Sequence, residues 1–229
     1  MDPIIELRDV FRIYRARGAD VVALRGVDMV LKKGDFVVIT GPSGSGKTTL
    51  LNIVGGIDRP TAGKVYFNGT DIFSLDERKI AEYRRNATGY VFQLFNLVSF
   101  LTVRQNVVLS MYLDGNSSQS RCKERAVELL ELVGLSDRAD AYPALLSGGE
   151  QQRAAIAAAL CNSPSVILAD EPTAELDTYN GNTVLELFQR LNRDEGRTVL
   201  IVTHDDRVAR LAKRSFQMDS GKLSTELST

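Results

Sequence analysis

The stretch Gly41-Pro42-Ser43-Gly44-Ser45-Gly46-Lys47-Thr48-Thr49 limits what this chain can fold into more than any other. It matches G-x-x-x-x-G-K-[ST], a loop whose backbone cradles phosphate groups. Glycines let the chain curl until successive N–H groups point at one anion. A helix starting near Lys47 adds the positive end of its dipole. Lys47 is then placed to reach the β- and γ-phosphates of a nucleotide, and the Thr48 hydroxyl to ligate Mg²⁺. The context agrees. Asp35 to Thr40 is apolar enough for a buried strand, and Thr48 to Val54 reads as the following helix.

The rest of the chain supplies an α/β frame for that loop. Ile5, Leu7 and Val10 alternate loosely with charged residues, as in a half-exposed strand. A polar turn over 15–20 leads to more strand from Val21 to Leu31, and Lys32-Lys33-Gly34 reads as a hairpin turn. Tyr14 sits just ahead of that region, as a strand-edge aromatic. After the phosphate loop come a turn over 58–63, a strand from Lys64 to Asn68 and a tight Asn68-Gly69 turn. Ser74-Leu75-Asp76-Glu77 has the form of a capping box opening a helix to about Asn86. Gly89 to Phe92 is a further strand, ending at Gln93.

From Val103 to Val133 the pattern is helical, with a soft polar loop over 115–120. Cys122, Ala126, Leu129, Leu130 and Val133 share one face, and Gly134 stops the run. The last third returns to strand and helix: Ser165–Asp170, Thr178–Arg193, Thr198–Thr203, Asp206–Lys213, then two short strands around Ser220-Gly221. The organisation is one domain, with 94–163 as a helical insert between strands of the α/β core formed by 1–93 and 164–229.

Two acidic residues follow a wholly apolar run. A carboxylate at the end of a buried parallel strand sits beside the phosphate loop in doubly wound folds. Asp170 can hold Mg²⁺ through water, and Glu171 can polarise the water that attacks a γ-phosphate. Leu146-Ser147-Gly148-Gly149-Glu150 is a second anion candidate. Taken alone, Ser147 and Glu150 make a capping box. Two glycines at the helix mouth also leave N–H groups open to an anion.

These residues together resemble the nucleotide-binding subunit of ATP-binding cassette (ABC) transporters. The resemblance covers the whole length, with the phosphate loop, Gln93, the Leu146 to Glu150 signature, Asp170-Glu171, Asp177 and His204 in the family's order. It implies a P-loop NTPase (RecA-like) core with an N-terminal antiparallel β sub-domain and a helical sub-domain. It implies ATP and Mg²⁺ as cofactors, and a head-to-tail homodimer with each ATP between one chain's phosphate loop and the other's Ser147-Gly148-Gly149. Gln93 would link Mg²⁺ and the attacking water to the helical insert, His204 would touch the γ-phosphate, Asp177 would line the nucleotide site, and Tyr14 would stack on adenine. A separate integral membrane permease subunit would be the partner, on the cytoplasmic face of the cell membrane. A finer likeness, carried by Gly55 to Gly63 and Tyr90 to Leu97, is to the lipoprotein-releasing and macrolide-export branch. A non-transporting cell-division signalling complex is the alternative.

The chain departs from the family pattern at Glu175, where neutral residues are usual, at Ala158, where arginine is frequent, and at Gln105, where glutamate is usual. Composition narrows the partners. A formal net charge of −1, with 25% of residues charged, offers no basic surface for nucleic acid. No Asn-Lys-x-Asp guanine-reading motif occurs. Cys122 and Cys161 lie in helical contexts with no partner motif, as expected in a reducing cytosol. Met1 to Glu6 is acidic early and lacks the apolar centre of a signal peptide. No apolar run reaches the ~18 residues that span a bilayer, so membrane work would need other chains.

Overall fold

The computed structural model describes residues 3–15, 18–114, 118–224 and 227–228. Residues 1–2, 16–17, 115–117, 225–226 and 229 lie outside them; the first three groups fall in the acidic start, the polar turn and the soft loop. In chain order the elements are β1 (Pro3–Tyr14), β2 (Val21–Lys32), β3 (Phe36–Thr40), α1 (Lys47–Val54), β4 (Ala62–Phe67), β5 (Thr70–Asp71), α2 (Glu77–Asn86) and β6 (Thr88–Val91). Then follow α3 (Val103–Val107), α4 (Leu109–Asp114), α5 (Gln119–Leu132), α6 (Gly148–Ala159), β7 (Val166–Asp170) and α7 (Thr178–Arg193). The chain continues through β8 (Thr198–Thr203), α8 (Asp206–Ala209), β9 (Arg214–Asp219), β10 (Lys222–Leu223) and β11 (Leu227–Ser228).

Two sheets organise these elements. One is antiparallel, in the order β2-β1-β4-β5. The other has a parallel core, β9-β3-β8-β7-β6, with β10 and β11 antiparallel on β9. Strands buried on both faces read as continuous apolar runs, and β3, β7 and β8 do. Phe36, Val38, Ile167, Ala169, Val199 and Ile201 face one apolar cluster, together with side chains of α3, α5, α6 and α7. Val37, Ile39, Val166, Leu168, Leu200 and Val202 face the other, with α1, β1, β2 and β4. The fold is therefore α/β: helices cover one face, and α1 plus the antiparallel sheet cover the other. The buried side chains of the insert, Val103, Val107, Cys122, Ala126 and Leu129, join the first cluster rather than a core of their own.

Several local expectations are corrected. Lys32-Lys33-Gly34 is a tight turn, with Asp35 N–H donating to Lys32 O at 3.0 Å. It is not a hairpin, because β2 pairs with β1 whereas β3 pairs with β8 and β9 in the other sheet. The residue that caps α2 is Asp76, accepting from Lys79 N–H at 2.8 Å; the Ser74 hydroxyl instead donates to Asp71 O. The helix expected from Asp206 to Lys213 ends at Ala209. Beyond it Leu211 and Ala212 bond back three residues, to Val208 and Ala209, which tightens the turn and buries Ala212. In β1 a register shift at Asp9, with φ of 48°, resets the alternation so that Leu7 and Val10, three apart, are both buried.

Candidate functional site

The phosphate loop runs from the end of β3 into α1, with Pro42, Ser43 and Gly44 open to solvent. Its glycines are required by space as well as by φ. A Cβ on Gly41, where φ is 155°, would stand 2.1 Å from Met218 O, and one on Gly46, where φ is 109°, 2.5 Å from Ala23 O. The loop is thus pressed against β9 on one side and β2 on the other. Lys47 is 6% exposed and donates to the carbonyls of Gly41 (2.8 Å) and Pro42 (3.1 Å). The ammonium therefore sits inside the curl of the loop. The buried Ser45 hydroxyl has no hydrogen-bond partner among the described residues.

Asp170 and Glu171 arrive from β7 as the sequence implies. Thr48 Oγ1 donates to Asp170 Oδ1 at 3.1 Å. Burial pushes the Asp170 carboxyl above the usual carboxylate range, opposed by the Thr48 hydrogen bond; the neighbouring Glu171 adds to the rise and Lys47 counters it. Glu171 has a left-handed backbone, with φ of 46°, a conformation that costs non-glycine residues energy and clusters at working sites. Thr203 Oγ1 (2.8 Å) and His204 N–H (3.2 Å) donate to Glu171 Oε2, while Oε1 lies 3.0 Å from His204 Nδ1 and 3.9 Å from Lys47 Nζ. Lys47, Thr48, Asp170, Glu171 and His204 thus form one connected set at the ends of β3, β7 and β8.

This donor set suits Mg²⁺. A hydroxyl and a carboxylate are hard oxygen donors, and this cation takes its remaining ligands from water and phosphates rather than from an all-protein cage. Among the described residues there is no cluster of three or more His, Cys, Asp or Glu side chains able to hold a metal. The partnerless Ser45 hydroxyl and the curl of backbone around Lys47 suit phosphate oxygens.

Other expected site residues lie elsewhere. Gln93, exposed at the end of β6, donates from Nε2 to Glu175 Oε1 at 3.1 Å and makes no hydrogen bond to Thr48, Asp170 or Glu171. Asp177 caps α7, accepting from Asn180 N–H and Asn180 Nδ2 at 2.9 and 2.7 Å. Ser147 caps α6 in a full capping box, which takes up the N–H groups of Ser147 and Glu150. Those hydrogen bonds hold the Glu150 carboxyl below its usual range, helped by Arg138. By helix geometry the Gly148 and Gly149 N–H groups have no intrahelical partner, and Gly149 is buried. Gly149 has no room for a side chain, since its Cβ would meet Asn180 Oδ1 at 2.4 Å. Within one chain this helix mouth lies against the Glu175–Leu176 segment rather than the phosphate loop.

Tyr14 ends β1 opposite Val21, two residues from the Ala23 carbonyl that backs Gly46. Its hydroxyl donates to Asp58 Oδ2 at 2.7 Å, and the Arg12 guanidinium lies 4.4 Å from its ring centroid. Arg12, Asp58 and Thr203 were not legible as site residues in the motifs. Thr203 was adjacent to a signal, since it directly precedes His204 at the end of an apolar strand.

A model of the family described as "ABC transporter" matches residues 24–174. An uncharacterized ABC transporter ATP-binding protein of Thermotoga maritima is 50% identical over 90% of this chain and 87% of its own length. A macrolide export ATP-binding/permease protein, MacB, of Syntrophobacter fumaroxidans is 45% identical over 97% of this chain, which spans only 31% of that relative. Among solved structures, the ATP-binding cassette MJ0796 of Methanocaldococcus jannaschii, as a dimer in a post-hydrolysis state bound to ADP and Pi, superposes with a TM-score of 0.91. The two are 41% identical, with 98% of each chain covered. A connected phosphate loop, strand-end carboxylates and strand-end histidine, with a family match over most of the length, place this chain in the ABC transporter family.

Proposed function

We propose that this chain binds and hydrolyses ATP as a head-to-tail homodimer and so drives a separate integral membrane permease from the cytoplasmic face. One observation carries the reading: Lys47, Thr48, Asp170, Glu171 and His204 converge at a phosphate loop. Thr48 and Asp170 would hold Mg²⁺, which when bound offsets the negative charge on the β- and γ-phosphate oxygens. Glu171 takes the proton of the attacking water, and His204, fixed against Glu171, meets the γ-phosphate. Gln93, released from Glu175, joins this set. Residues 94–163 form the helical sub-domain; no helix among the described residues is long and apolar enough to cross a membrane. The similarity to MacB and to the MJ0796 dimer supports the branch and the pairing. Purified chain should hydrolyse ATP with Mg²⁺ and stop in excess EDTA; turnover that survives EDTA would overturn the assignment.

Two half-sites on each chain support the dimer. The N–H groups of Gly148 and Gly149, which lack intrahelical partners, and the phosphate loop would be two half-sites for one anion, so a γ-phosphate would join two chains. The exposed Glu175 and Asp177 oppose this if they approach their counterparts, a repulsion screened over roughly 8 Å at physiological salt. In size-exclusion chromatography a Glu171→Gln variant with ATP should elute as a dimer, and adding Glu175→Asn should enlarge that peak. A persistent monomer with ATP bound refutes the pairing, and an unchanged peak refutes the charge argument.

The permease docks near 94–103. Leu94 and Phe100 are 68% and 78% exposed. Beside them Tyr90, Phe92, Phe95, Leu97, Val98 and Leu113 line a groove of about 250 Å³. Leu97 also packs on the core, so part of the stretch is structural. Phe100→Asp should weaken binding to the permease while shifting stability by no more than about 0.5 kcal/mol, as for other surface sites. Unfolding of the isolated variant in a thermal melt would show Phe100 to be a core residue instead.

A further inference from the structure

We propose that Arg12 and Asp58 are positioning residues that fix the Tyr14 ring as a platform for the base of a bound nucleotide. The proposal rests on the reading that Tyr14 takes that base.

Arg12 and Tyr14 are two apart on β1. Both reach one carboxylate. Arg12 Nε meets Asp58 Oδ2 at 2.9 Å and Arg12 Nη2 meets Oδ1 at 2.7 Å, a two-pronged pair. The Tyr14 hydroxyl donates to Oδ2 at 2.7 Å, and the Arg59 N–H donates to Oδ1 at 2.8 Å. A carboxylate has about four lone-pair sites, and all four are filled here. The side chains of Arg12 and Asp58 are only 24% and 21% exposed. The pair is therefore less screened than an ordinary surface ion pair, and its fork geometry is specific.

The anchor under Asp58 is rigid. Ile57 N–H (2.8 Å) and Asp58 N–H (3.2 Å) bond to Asn52 O on α1, the helix that the phosphate loop opens. Thr61 N–H bonds to Phe11 O at 2.8 Å, and Ile13 N–H to Thr61 Oγ1 at 2.9 Å, which ties the same loop along β1. The carboxylate thus links α1 to the end of the antiparallel sheet.

Two features make this a platform rather than a simple tie. Tyr14 pairs with Val21, and two residues on, about 7 Å along the strand, Ala23 O backs Gly46 of the phosphate loop. The ring is thus near where a nucleotide held by that loop carries its base. The Arg12 guanidinium covers one ring face at 4.4 Å, and with Tyr14 37% exposed a base would stack on the other face. Without the hydroxyl anchor and the backing cation, binding would have to order the ring itself. Immobilising one such side chain weakens affinity by about 2- to 12-fold. A stacked base is recognised by its π-face, so the device separates ligands with a base from those without one.

Isothermal titration calorimetry with Mg-ADP and Mg-pyrophosphate tests this, because neither ligand carries the γ-phosphate that the proposed reaction removes. The readout is the ratio of the pyrophosphate Kd to the ADP Kd. Tyr14→Ala should lower it about 5- to 160-fold by loss of stacking. Asp58→Asn and Tyr14→Phe should each lower it about 2- to 12-fold with the pyrophosphate Kd unchanged. Tyr14→Phe is the sharper variant: it keeps the π-face and the Arg12–Asp58 pair and removes only the anchor. It also decides the matter if Asp58→Asn fails to fold. A purely structural role would weaken both ligands together and leave the ratio fixed, which would overturn the proposal. If Tyr14→Ala leaves the ratio at its wild-type value, the base does not meet Tyr14 and the underlying reading fails as well.

Discussion

Replacing Glu171 with glutamine slows ATP turnover by ~10²–10⁴-fold and leaves ATP binding in place, the loss that follows from removing a positioned general base. The geometry makes the substitution clean. Glutamine keeps the length of the side chain, and its amide oxygen can still accept from the Thr203 hydroxyl and His204 N–H that hold Oε2. What disappears is the basic lone pair on Oε1, the atom shared with His204 Nδ1 and closest to Lys47. The left-handed backbone at residue 171, tied by its N–H to Val202 O at 2.9 Å, should be retained in this variant. Phosphate release under multiple-turnover conditions, alongside calorimetric ATP binding, measures the split. Turnover equal to wild type would remove Glu171 from the chemistry.

The second large effect is on binding. Lys47→Ala should weaken Mg-ATP binding by ~10²–10³-fold, because a unit charge about 4 Å from a phosphate is worth several kcal/mol at the effective dielectric of a partly buried site. The lysine is held ready: its ammonium already lies under the Gly41 and Pro42 carbonyls and is almost wholly shielded from water. Removing it also leaves Asp170 and Glu171 without their nearest cation, so the pocket becomes repulsive to an incoming triphosphate. Lys47→Arg retains the charge but cannot fit beneath those carbonyls without displacing the loop, and should recover only part of the affinity. Wild-type affinity in Lys47→Ala would show that the anion is held elsewhere. Circular dichroism separates a lost site from a lost fold, since α1 begins at the mutated residue.

The relation between these effects and the dimer is directional. On the proposed pairing Lys47 would act first, because an empty phosphate loop offers no anion for the Gly148–Gly149 helix mouth of a second chain. Glu171 would act after it, because hydrolysis removes that anion. The Gln93–Glu175 hydrogen bond lies between the two stages. It joins the residue expected to serve the metal to the segment that supports the signature helix, so Glu175→Asn alters both ends at once.

The sequence by itself determined the parts whose chemistry is local. The phosphate loop follows from glycine spacing, and β8 and α7 have the bounds read from periodicity alone, Thr198–Thr203 and Thr178–Arg193. The capping box at Ser147 and Glu150 was equally legible, because its two hydrogen bonds close within four residues. Tertiary structure decided what depends on distant partners. Lys32 to Gly34 joins two sheets rather than two strands of a hairpin, and no local pattern states which strand an edge will pair with. Asp76 displaced Ser74 as the cap of α2 because both residue types suit the role and only the path of the chain chooses between them. The insert gained no core of its own because its apolar faces found the first face of the sheet already available. The Arg12–Asp58–Tyr14 cluster joins residues more than forty positions apart. Its carboxylate sits in a turn that reads, by composition, as solvent-facing. Side-chain contacts of that separation are set by packing, which the periodicity of a strand or helix leaves open.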